Sequence, residues 1–447
     1  MSFTSLVANQ RKFFRTGDTK CLEFRKKQLV ALKQMLVENR EDLTNAVWKD
    51  LRRRPEVTDA LEIGASTREI DLFLKMLDQW SQSTPVSKPN EYDTPSIEKD
   101  PLGVVLVIAT WNYPINMVFL PLVAALAAGN TVVLKTADMS ANCAQLFEKL
   151  IEKYFDPKVV TAVGGGRNET TEVLKERFDH IMYTGSPPVA KIVMTAAAQH
   201  LTPVTLELGG KCPVVVESDA NIDLAAKRIA WGKWLNCGQT CLAPDYIMTT
   251  SEVKPKLIEA FRKHVLNFYG ENPQSSKDYS RVINARHYDR LTKLLSTTKG
   301  KTLIGGGKPD RDDLYIPPTI LDVEKSDVFL EEEIFGPVLP VITVSSFSEA
   351  LDYIQDNEKP LAAYLFTEDK DKVKRFLKET SSGGVSINDI MAHVGVPFLP
   401  FGGVGYSGMG RYSGKFGFDT FTHEKSVMMR DMAGEHVQEP RYPPHDH

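Results

Sequence analysis

The chain of 447 residues has few cysteines and no apolar run long enough to cross a membrane. Five cysteines are too sparse for a disulfide scaffold and are typical of a reducing compartment. The N-terminus, MSFTSLVANQRKFFR, has no apolar signal core. The longest apolar run, from Met117 to Ala128, is well short of the roughly 20 residues of a spanning helix. We therefore expect a cytoplasmic protein without a membrane anchor.

Neither sign of charge dominates. The formal net charge is −4, which gives no electrostatic basis for binding nucleic acid or an acidic membrane. Hydrophobic residues make up 42% of the chain and charged residues 25%, as in ordinary globular proteins. There is no internal repeat and no low-complexity tract. The length predicts about three domain-sized units.

The ligand spacing of a metal site is missing. Cys237 and Cys241, in WLNCGQTCLAPD, have no second pair of cysteines or histidines at ligand spacing, so we expect no metal. A redox pair usually has two residues between its cysteines, and here there are three. The spacing leaves two interpretations open. Either both cysteines are small buried residues, or one is a nucleophile and the other has no chemical role.

The common nucleotide fingerprints are also missing. Neither VGGGRNE nor YTGSPPVAK matches G-x-G-x-x-G. A phosphate-binding loop near GMGRYSGKF fails at Met409 and Phe416, so ATP binding is not expected. Tight turns and close backbone packing are the commoner role of glycines such as those at 402–414.

What the chain does have is an alternation of short apolar runs with helical patterns. Residues 4–80 have a helical pattern, and after Pro101 the apolar runs are typical of strands buried on both faces. The runs are GVVLVIAT (103–110), TVVLK (131–135), VVTAV (159–163), HIMYTG (180–185) and VTLEL (204–208). This order predicts an α/β fold with a parallel sheet that has helices on both faces.

Ligands of such sheets bind beyond the carboxyl ends of the strands. The residues at those ends are Asn112, Lys135, Gly185 and Glu207. Simpler roles are open for two of them. Glu207 could cap the next element or pair with Lys211, and Asn112 could be a turn residue before Pro114.

Five segments together resemble the aldehyde dehydrogenase family. They are PLGVVLVIATWNYP, LELGGKCP, NCGQTCLAPD, EEEIFGPV and PFGGVGYSGMG, and they span roughly residues 100–425 in the family's order. The short N-terminus and the details GQTCLAPDY and GVGYSGMG are most similar to the class 3 branch, which acts on fatty, aromatic and medium-chain aldehydes. The resemblance implies a homodimer. Some members of that branch carry an apolar C-terminal anchor, and none is found here.

The resemblance implies the roles of the catalytic residues. Cys241 ends the G-Q-x-C motif and is the expected nucleophile, whereas Cys237 is a packing residue. A thiolate attacks an aldehyde to form a thiohemiacetal, which can lose hydride to a nicotinamide ring. The Asn112 amide and the backbone N–H of Cys241 are the expected oxyanion donors. Glu207 is the expected base for the water that hydrolyses the thioester.

The resemblance also implies the cofactor contacts. Lys135 and Glu333 are expected on the ribose hydroxyls, with Phe335 beside the nicotinamide end. Gly185 and Ser186 begin the helix that approaches the pyrophosphate.

Two positions depart from the family pattern. Asp138 stands where a longer glutamate commonly contacts the adenosine 2′-hydroxyl, so we expect NAD to be preferred and NADP to be possible. Ala190 replaces a glycine at the start of that helix, where a methyl group could crowd the sheet.

We therefore expect NAD(P)-dependent oxidation of medium- or long-chain aliphatic or aromatic aldehydes to carboxylic acids. The predicted cofactor domain is residues 1–82 and 101–209, and the catalytic domain is 210–415. Residues 83–100 and 416–447 are predicted to form a bridging or oligomerisation element and a polar tail.

Two alternatives stay open. An acylating enzyme would pass the acyl group to coenzyme A, but Glu207 favours hydrolysis. A non-catalytic, crystallin-like structural protein is disfavoured because Cys241, Asn112 and Glu207 are all present.

Overall fold

The computed structural model describes residues 2–445, which form three β-sheets with helices around them. The strands are β1 (Thr84–Pro85), β2 (Asp93–Pro101), β3 (Val104–Ile108), β4 (Thr131–Lys135), β5 (Val160–Val163), β6 (His180–Thr184), β7 (Val204–Glu207), β8 (Pro213–Val216), β9 (Tyr246–Thr249), β10 (Lys301–Ile304), β11 (Thr319–Asp322), β12 (Val338–Thr343), β13 (Ala362–Phe366), β14 (Gly384–Ile387), β15 (Gly408–Met409) and β16 (Thr422–Arg430).

The helices pack on both faces of the sheets and at their ends. They are α1 (Phe3–Phe14), α2 (Leu22–Glu38), α3 (Arg40–Leu51), α4 (Pro55–Thr58), α5 (Gly64–Trp80), α6 (Pro114–Ala128), α7 (Ala141–Tyr154), α8 (Arg167–Val173), α9 (Pro187–Ala198), α10 (Ile222–Trp234), α11 (Val253–Tyr269), α12 (Ala285–Thr297), α13 (Phe347–Gln355), α14 (Lys370–Glu379), α15 (Gly414–Thr420) and α16 (Glu435–Gln438). A π-helical turn, Asp59–Ile63, joins α4 to α5.

The first sheet has the strand order β15-β7-β6-β3-β4-β5 and is parallel except for β15. Strands β3 and β4 are buried along their whole length, which explains their continuous apolar sequences. In register, Ile108 lies opposite both Lys135 and Tyr183, and Thr184 lies opposite Glu207. The carboxyl ends of the central strands therefore meet at one edge. The five predicted strands and the parallel α/β fold are confirmed.

Helices cover both faces of this sheet. On one face, α2, α3, α5, α6 and α7 enclose an apolar cluster that includes Leu29, Phe73 and Phe119. On the other face, α1, α8 and α9 pack against the sheet through residues such as Val7 and Val193. Helix α6 ends at Gly129, whose φ of 92° is the left-handed conformation that glycine adopts easily.

Strand β15 comes from the glycine-rich stretch and pairs antiparallel with β7. Gly408 lies opposite Glu207, and its φ is 136°. A Cβ at Gly408 would overlap the carbonyl oxygen of Leu206, so this approach of two backbones requires glycine. The interpretation of these glycines as close-packing residues is therefore confirmed at Gly408.

The second sheet has the order β10-β11-β12-β9-β8-β13-β14 and is parallel except for β10. The third sheet is antiparallel, with the order β1-β2-β16, and its long β2–β16 pair runs from Thr422 opposite Pro101 to Arg430 opposite Asp93. The predicted domain boundaries stay predictions. Among residues 2–445, no helix is long and apolar enough to cross a membrane.

Candidate active site

A cavity of about 1190 Å³ opens at the carboxyl edge of the first sheet, where residues of the second sheet's unit close it. Seven of the nine residues predicted for the site line it, and these are Asn112, Gly185, Ser186, Glu207, Cys241, Glu333 and Phe335. Lys135 and Asp138 are not among the lining residues. No group of three or more potential metal ligands occurs in the described part of the chain.

The loop that carries Cys241 follows helix α10 and has a strained backbone. Asn236 and Cys237 have φ values of 53° and 56°, in a region that L-residues rarely adopt. Cys237 is fully buried, whereas Cys241 is half-buried and faces the cavity. Of the two cysteines, only Cys241 is therefore positioned to meet a ligand.

Gln239 holds this loop in place from inside the protein. Its Nε2 donates to the carbonyl oxygens of Asn236 (3.0 Å) and Arg281 (2.9 Å), and its Oε1 accepts from Ile283 N–H (2.9 Å). The side chain is fully buried and uses each of its polar atoms. It fixes the turn before Cys241 to the neighbouring segment.

The surroundings of Cys241 oppose ionisation of its thiol. Burial raises the pKa of Cys241 far above its usual value, and the carboxylates of Glu333 and Glu207 raise it further. The backbone N–H groups of Cys241 and Leu242 act in the opposite direction. The thiolate therefore forms only when a proton acceptor or a positive charge comes close.

Glu207, at the end of β7, is the other reactive group of the cavity wall. It is 3% exposed, and neither carboxyl oxygen has a hydrogen-bond partner among the described residues. Burial raises the pKa of Glu207 well above its ordinary value. The alternative pairing with Lys211 is wrong, because the Nζ atom of Lys211 forms an ion pair with Asp245 instead.

Asn112 lies in the turn between β3 and α6. Its Nδ2 donates one hydrogen to the carbonyl oxygen of Gln239 (3.1 Å), while Oδ1 has no partner in the described chain. An amide nitrogen carries two hydrogens, so one remains for a group in the cavity. The Asn112 carbonyl accepts from Asn236 Nδ2 (2.8 Å) and from Arg53 Nη1 (3.1 Å).

Glu333 and Phe335 lie in the loop between β11 and β12. The carboxyl group of Glu333 packs on Gly209, and burial together with the charge of Asp245 raises its pKa to about 8. Phe335 has a φ of 47°, and its ring meets that of Trp111 edge-on at 5.4 Å between centroids. Both side chains are therefore held at the cavity wall.

The ion pair between Lys211 and Asp245 holds this loop. Lys211 Nζ also donates to the carbonyl oxygens of Phe329 (2.9 Å) and Glu332 (3.0 Å). Asp245 Oδ1 accepts from Ile334 N–H (3.0 Å). The pair thus connects the segments that follow Glu207 and Cys241 to the loop of Glu333.

Lys135 is the last residue of β4, and Asp138 follows the strand, beside the glycines at 164–166. Lys135 Nζ donates to the carbonyl oxygens of Thr136 (2.7 Å) and Gly165 (2.6 Å), and burial lowers its pKa. The exposed Asp138 packs against Gly166. The predicted contacts of these two residues with the adenosine end stay predictions.

The start of helix α9 differs from the expected anion site. Ser186 is the N-cap residue, and the first two helical residues are Pro187 and Pro188, which have no N–H. The N-terminus therefore offers fewer donors than expected for a pyrophosphate. Ala190 is buried in the core, and its N–H donates to the Ser186 carbonyl as in a regular helix.

Several residues near the cavity belong to none of the sequence motifs described above. His287 and Arg290 line it, and burial together with the charge of Arg290 lowers the pKa of His287 to about 4. Arg53 and Glu62 form a buried ion pair behind Asn112. The sequence LRRRPE around Arg53 has the pattern of a solvated helix end, so it gave no signal of burial.

A family model described as "Aldehyde dehydrogenase family" matches residues 3–427. The chain belongs to the aldehyde dehydrogenase family. It is 46% identical over 446 residues to "Aldehyde dehydrogenase, dimeric NADP-preferring" of Rattus norvegicus, covering 99% of this chain and 98% of the relative. It is 45% identical over 441 residues to "Aldehyde dehydrogenase family 3 member A2" of Mus musculus, covering 98% and 90%.

Solved structures agree with this assignment. A structure described as "Substrate bound state of Staphylococcus Aureus AldH" has a TM-score of 0.94 and 43% identity, covering 96% of this chain and 94% of the other. A Pseudomonas PnpE structure in complex with nicotinamide adenine dinucleotide has a TM-score of 0.85 and 26% identity, covering 95% and 89%. The predictions of a class 3-like, NAD(P)-dependent aldehyde dehydrogenase are confirmed, and neither alternative function is supported.

Proposed function

We propose that the cavity is the active site for NAD(P)-dependent oxidation of aldehydes, with Cys241 as nucleophile and Glu207 as base. One observation carries these roles. A half-buried thiol lines the same cavity as a buried carboxyl group that has no hydrogen-bond partner among residues 2–445. A buried carboxyl group without a hydrogen-bond partner lowers the stability of the fold by about 1–3 kcal/mol. Buried groups with perturbed pKa values of this kind cluster at sites that bind ligands or react.

The residues present fit a dinucleotide. The same cavity is lined by Gly185 and Ser186, at the start of α9, by Glu333 and Phe335, and by Cys241. Gly185 and Ser186 would hold the pyrophosphate, although Pro187 and Pro188 reduce the number of N–H donors there. Glu333 would hold the ribose of the nicotinamide end. The bound cofactor supplies the acceptor for the hydride.

The first half of the reaction forms a thioester on Cys241. Its thiol gives its proton to water or to Glu207. The Sγ atom of the thiolate then bonds to the aldehyde carbon, and the π electrons of the carbonyl move to its oxygen to form an oxyanion. The free Asn112 N–H and the Cys241 backbone N–H stabilise this charge, and one such donor is worth about 3 kcal/mol. The C–H bond then breaks, the electron pair leaves as hydride, and the C=O bond re-forms.

The second half hydrolyses the thioester. Glu207 takes a proton from water as the water oxygen adds to the thioester carbon. The C–S bond then breaks, which releases the carboxylic acid and leaves the Cys241 thiolate, and Glu207 returns its proton to that thiolate or to solvent. Water consumption is what separates this reaction from transfer to coenzyme A. Burial raises the pKa of Glu207, so its carboxylate, once ionised, is a stronger base than that of an exposed glutamate.

The remaining cavity wall suits a long apolar substrate. Leu72, Met117, Leu120, Trp231 and Leu235 line the cavity. Val394 also lines the cavity and is exposed. We therefore favour medium- or long-chain aliphatic and aromatic aldehydes, in which the chain buries apolar surface worth about 0.8 kcal/mol per methylene.

Acidic residues around Lys135 support a preference for NAD. Asp138, Glu169 and Glu148 all act electrostatically on Lys135 and pack against the glycines at 164–166. If the adenosine ribose lies here, these carboxylates repel a 2′-phosphate and favour a 2′-hydroxyl. The rat relative is named NADP-preferring, so NADP should still be used.

We also propose a homodimer, supported by the name of the rat relative, which calls that protein dimeric. We place the contact with the second copy on the arm formed by β2 and β16, because Met428 and Met429 are exposed on it. A cytoplasmic location is proposed from the five free cysteines. Sedimentation of the purified protein and cell fractionation test these two points.

The decisive experiment is a panel of aldehydes, from short aliphatic to long-chain and aromatic, assayed with NAD and with NADP. We expect reduced cofactor and carboxylic acid in equal amounts, higher kcat/KM for longer chains, and higher kcat/KM with NAD. Cys241→Ala is the matched control, which should bind cofactor and give no turnover. Acid formation by Cys241→Ala at the wild-type rate would refute the assignment of the nucleophile.

A further inference from the structure

The turn that carries Asn112 is held from behind by a buried ion pair of the N-terminal helices. The side chains of Arg53 and Glu62 are 1% and 0% exposed and form a direct ion pair. Arg53 lies just after α3, and Glu62 lies in the π-helical turn before α5. An ion pair so far from water is costly to bury, so its retention calls for a specific role.

The two partners contact both ends of that turn. Arg53 Nη1 donates to the carbonyl oxygen of Asn112 (3.1 Å). Glu62 Oε2 accepts from the backbone N–H groups of Ile115 (2.9 Å) and Asn116 (3.0 Å). Helix α6 begins at Pro114 and has no side-chain cap of its own, so Glu62 caps it from another part of the chain.

Arg53 also reaches the loop of the nucleophile through its neighbours. Its guanidinium lies over the ring of Tyr113 at 4.7 Å, and the Tyr113 hydroxyl is 2.9 Å from Thr240 Oγ1. Thr240 immediately precedes Cys241. The third guanidinium nitrogen, Nε, donates to Thr58 Oγ1 (3.2 Å), so the guanidinium is fixed in one orientation.

We propose that Arg53 and Glu62 are positioning residues, which aim the free N–H of Asn112 at the oxyanion formed on Cys241. This proposal rests on the proposed function. The planar fork of arginine can serve Asn112, Glu62 and Thr58 at once, which the single ammonium of lysine cannot do. The pair thereby sets the distance between the two oxyanion donors, Asn112 Nδ2 and Cys241 N.

The test is a double-mutant cycle between Arg53→Lys and Asn112→Ala, read from the rate of the first burst of reduced cofactor. Arg53→Lys keeps the charge and loses the fork, so the burst rate should fall about tenfold or more. In the Asn112→Ala background, the same change should cost less than about twofold, because the amide it positions is gone. The dissociation constant for NAD should not change.

A matched control is Arg11→Lys. Arg11 Nη1 bonds to Asp179 Oδ2 (2.7 Å), which accepts from Val104 N–H (2.8 Å) at the far end of the same β3 strand. This variant should leave the burst rate unchanged. The positioning role is overturned if the reductions in burst rate caused by Arg53→Lys and Asn112→Ala multiply in the double variant. It is also overturned if Arg53→Lys leaves the burst rate unchanged.

Two further results keep the test decisive. If Arg53→Lys does not fold, Glu62→Gln enters the same cycle with the same expectation. If Asn112→Ala alone leaves the burst rate undiminished, the proposed oxyanion donor is contradicted. That failure is visible in the single variant, so it is distinguished from a failure of the positioning role.

Discussion

Replacing Glu207 with glutamine separates the catalytic role of its carboxyl group from the effect of that group on the stability of the fold. Glutamine keeps the shape of the side chain and cannot accept a proton from water. Loss of a general base lowers kcat by about 10²–10⁴-fold. Hydride transfer precedes the step that needs this base, so rapid mixing should still give a burst of reduced cofactor, followed by slow turnover and an acyl adduct on Cys241.

The same variant should be more stable than the wild type at neutral pH. Because burial raises the pKa of Glu207, the folded protein keeps a proton that the unfolded chain loses above the ordinary pKa of about 4.3. From that pH up to the raised pKa, each pH unit lowers the wild-type free energy of unfolding by about 1.4 kcal/mol. Glutamine does not titrate, so the advantage of the variant grows by the same amount per unit.

Denaturant unfolding of both proteins from pH 5 to pH 8, without cofactor, measures this difference. A stability difference that does not change with pH would refute the buried, neutral carboxyl. Turnover of Glu207→Gln at the wild-type rate would leave Glu207 without a catalytic role. If Glu207 also takes the proton of Cys241, the burst itself should slow, and raising the pH should partly restore it.

Glu333→Gln is the control for that experiment. Its carboxyl group also lines the cavity, and burial raises its pKa to about 8. This variant should bind cofactor more weakly and should not accumulate an acyl enzyme. Accumulation in both variants would mean that loss of either buried carboxyl group slows hydrolysis.

Two other variants address neighbouring contacts. Cys237→Ala should keep kcat and lose on the order of 1 kcal/mol of stability, because a fully buried sulfur is removed; a loss of turnover as deep as that of Cys241→Ala in a folded protein would contradict its packing role. Lys211→Met leaves Asp245 buried and unpaired, so it should cost about 3 kcal/mol in denaturant unfolding. It should also raise the NAD dissociation constant, because the loop of Glu333 loses two hydrogen bonds; unchanged cofactor binding would argue against that coupling.

The sheet and the reactive groups could be predicted from the sequence because each leaves a local pattern. The central strands β3 and β4 of the first sheet are buried along their whole length, so they form continuous apolar runs such as TVVLK. Parallel strands bring their carboxyl ends together, which put Asn112 and Glu207 at one edge. The two prolines at the start of α9, Pro187 and Pro188, are equally visible in the sequence, and they have no N–H to offer a pyrophosphate.

The supports of the site leave no such pattern. Arg53 is 59 residues from Asn112 in the chain, and its neighbours in LRRRPE are polar, so only the folded structure reveals its burial. The pairing of Lys211 with Asp245 likewise joins residues 34 apart across two segments. Strand β15 has two residues and no side-chain signature, because the contact is between backbones.

The pairing of β15 with β7 has a consequence for synthesis on the ribosome. Strand β7 ends at Glu207, about 200 residues before its outer neighbour, Gly408–Met409, is made. Until then, the nascent chain presents one open backbone edge beside the future catalytic carboxylate. Unpaired edges of this kind recruit other strands and promote aggregation. Truncated chains that end before residue 408 should therefore depend on chaperones, although they contain every other strand of the first sheet.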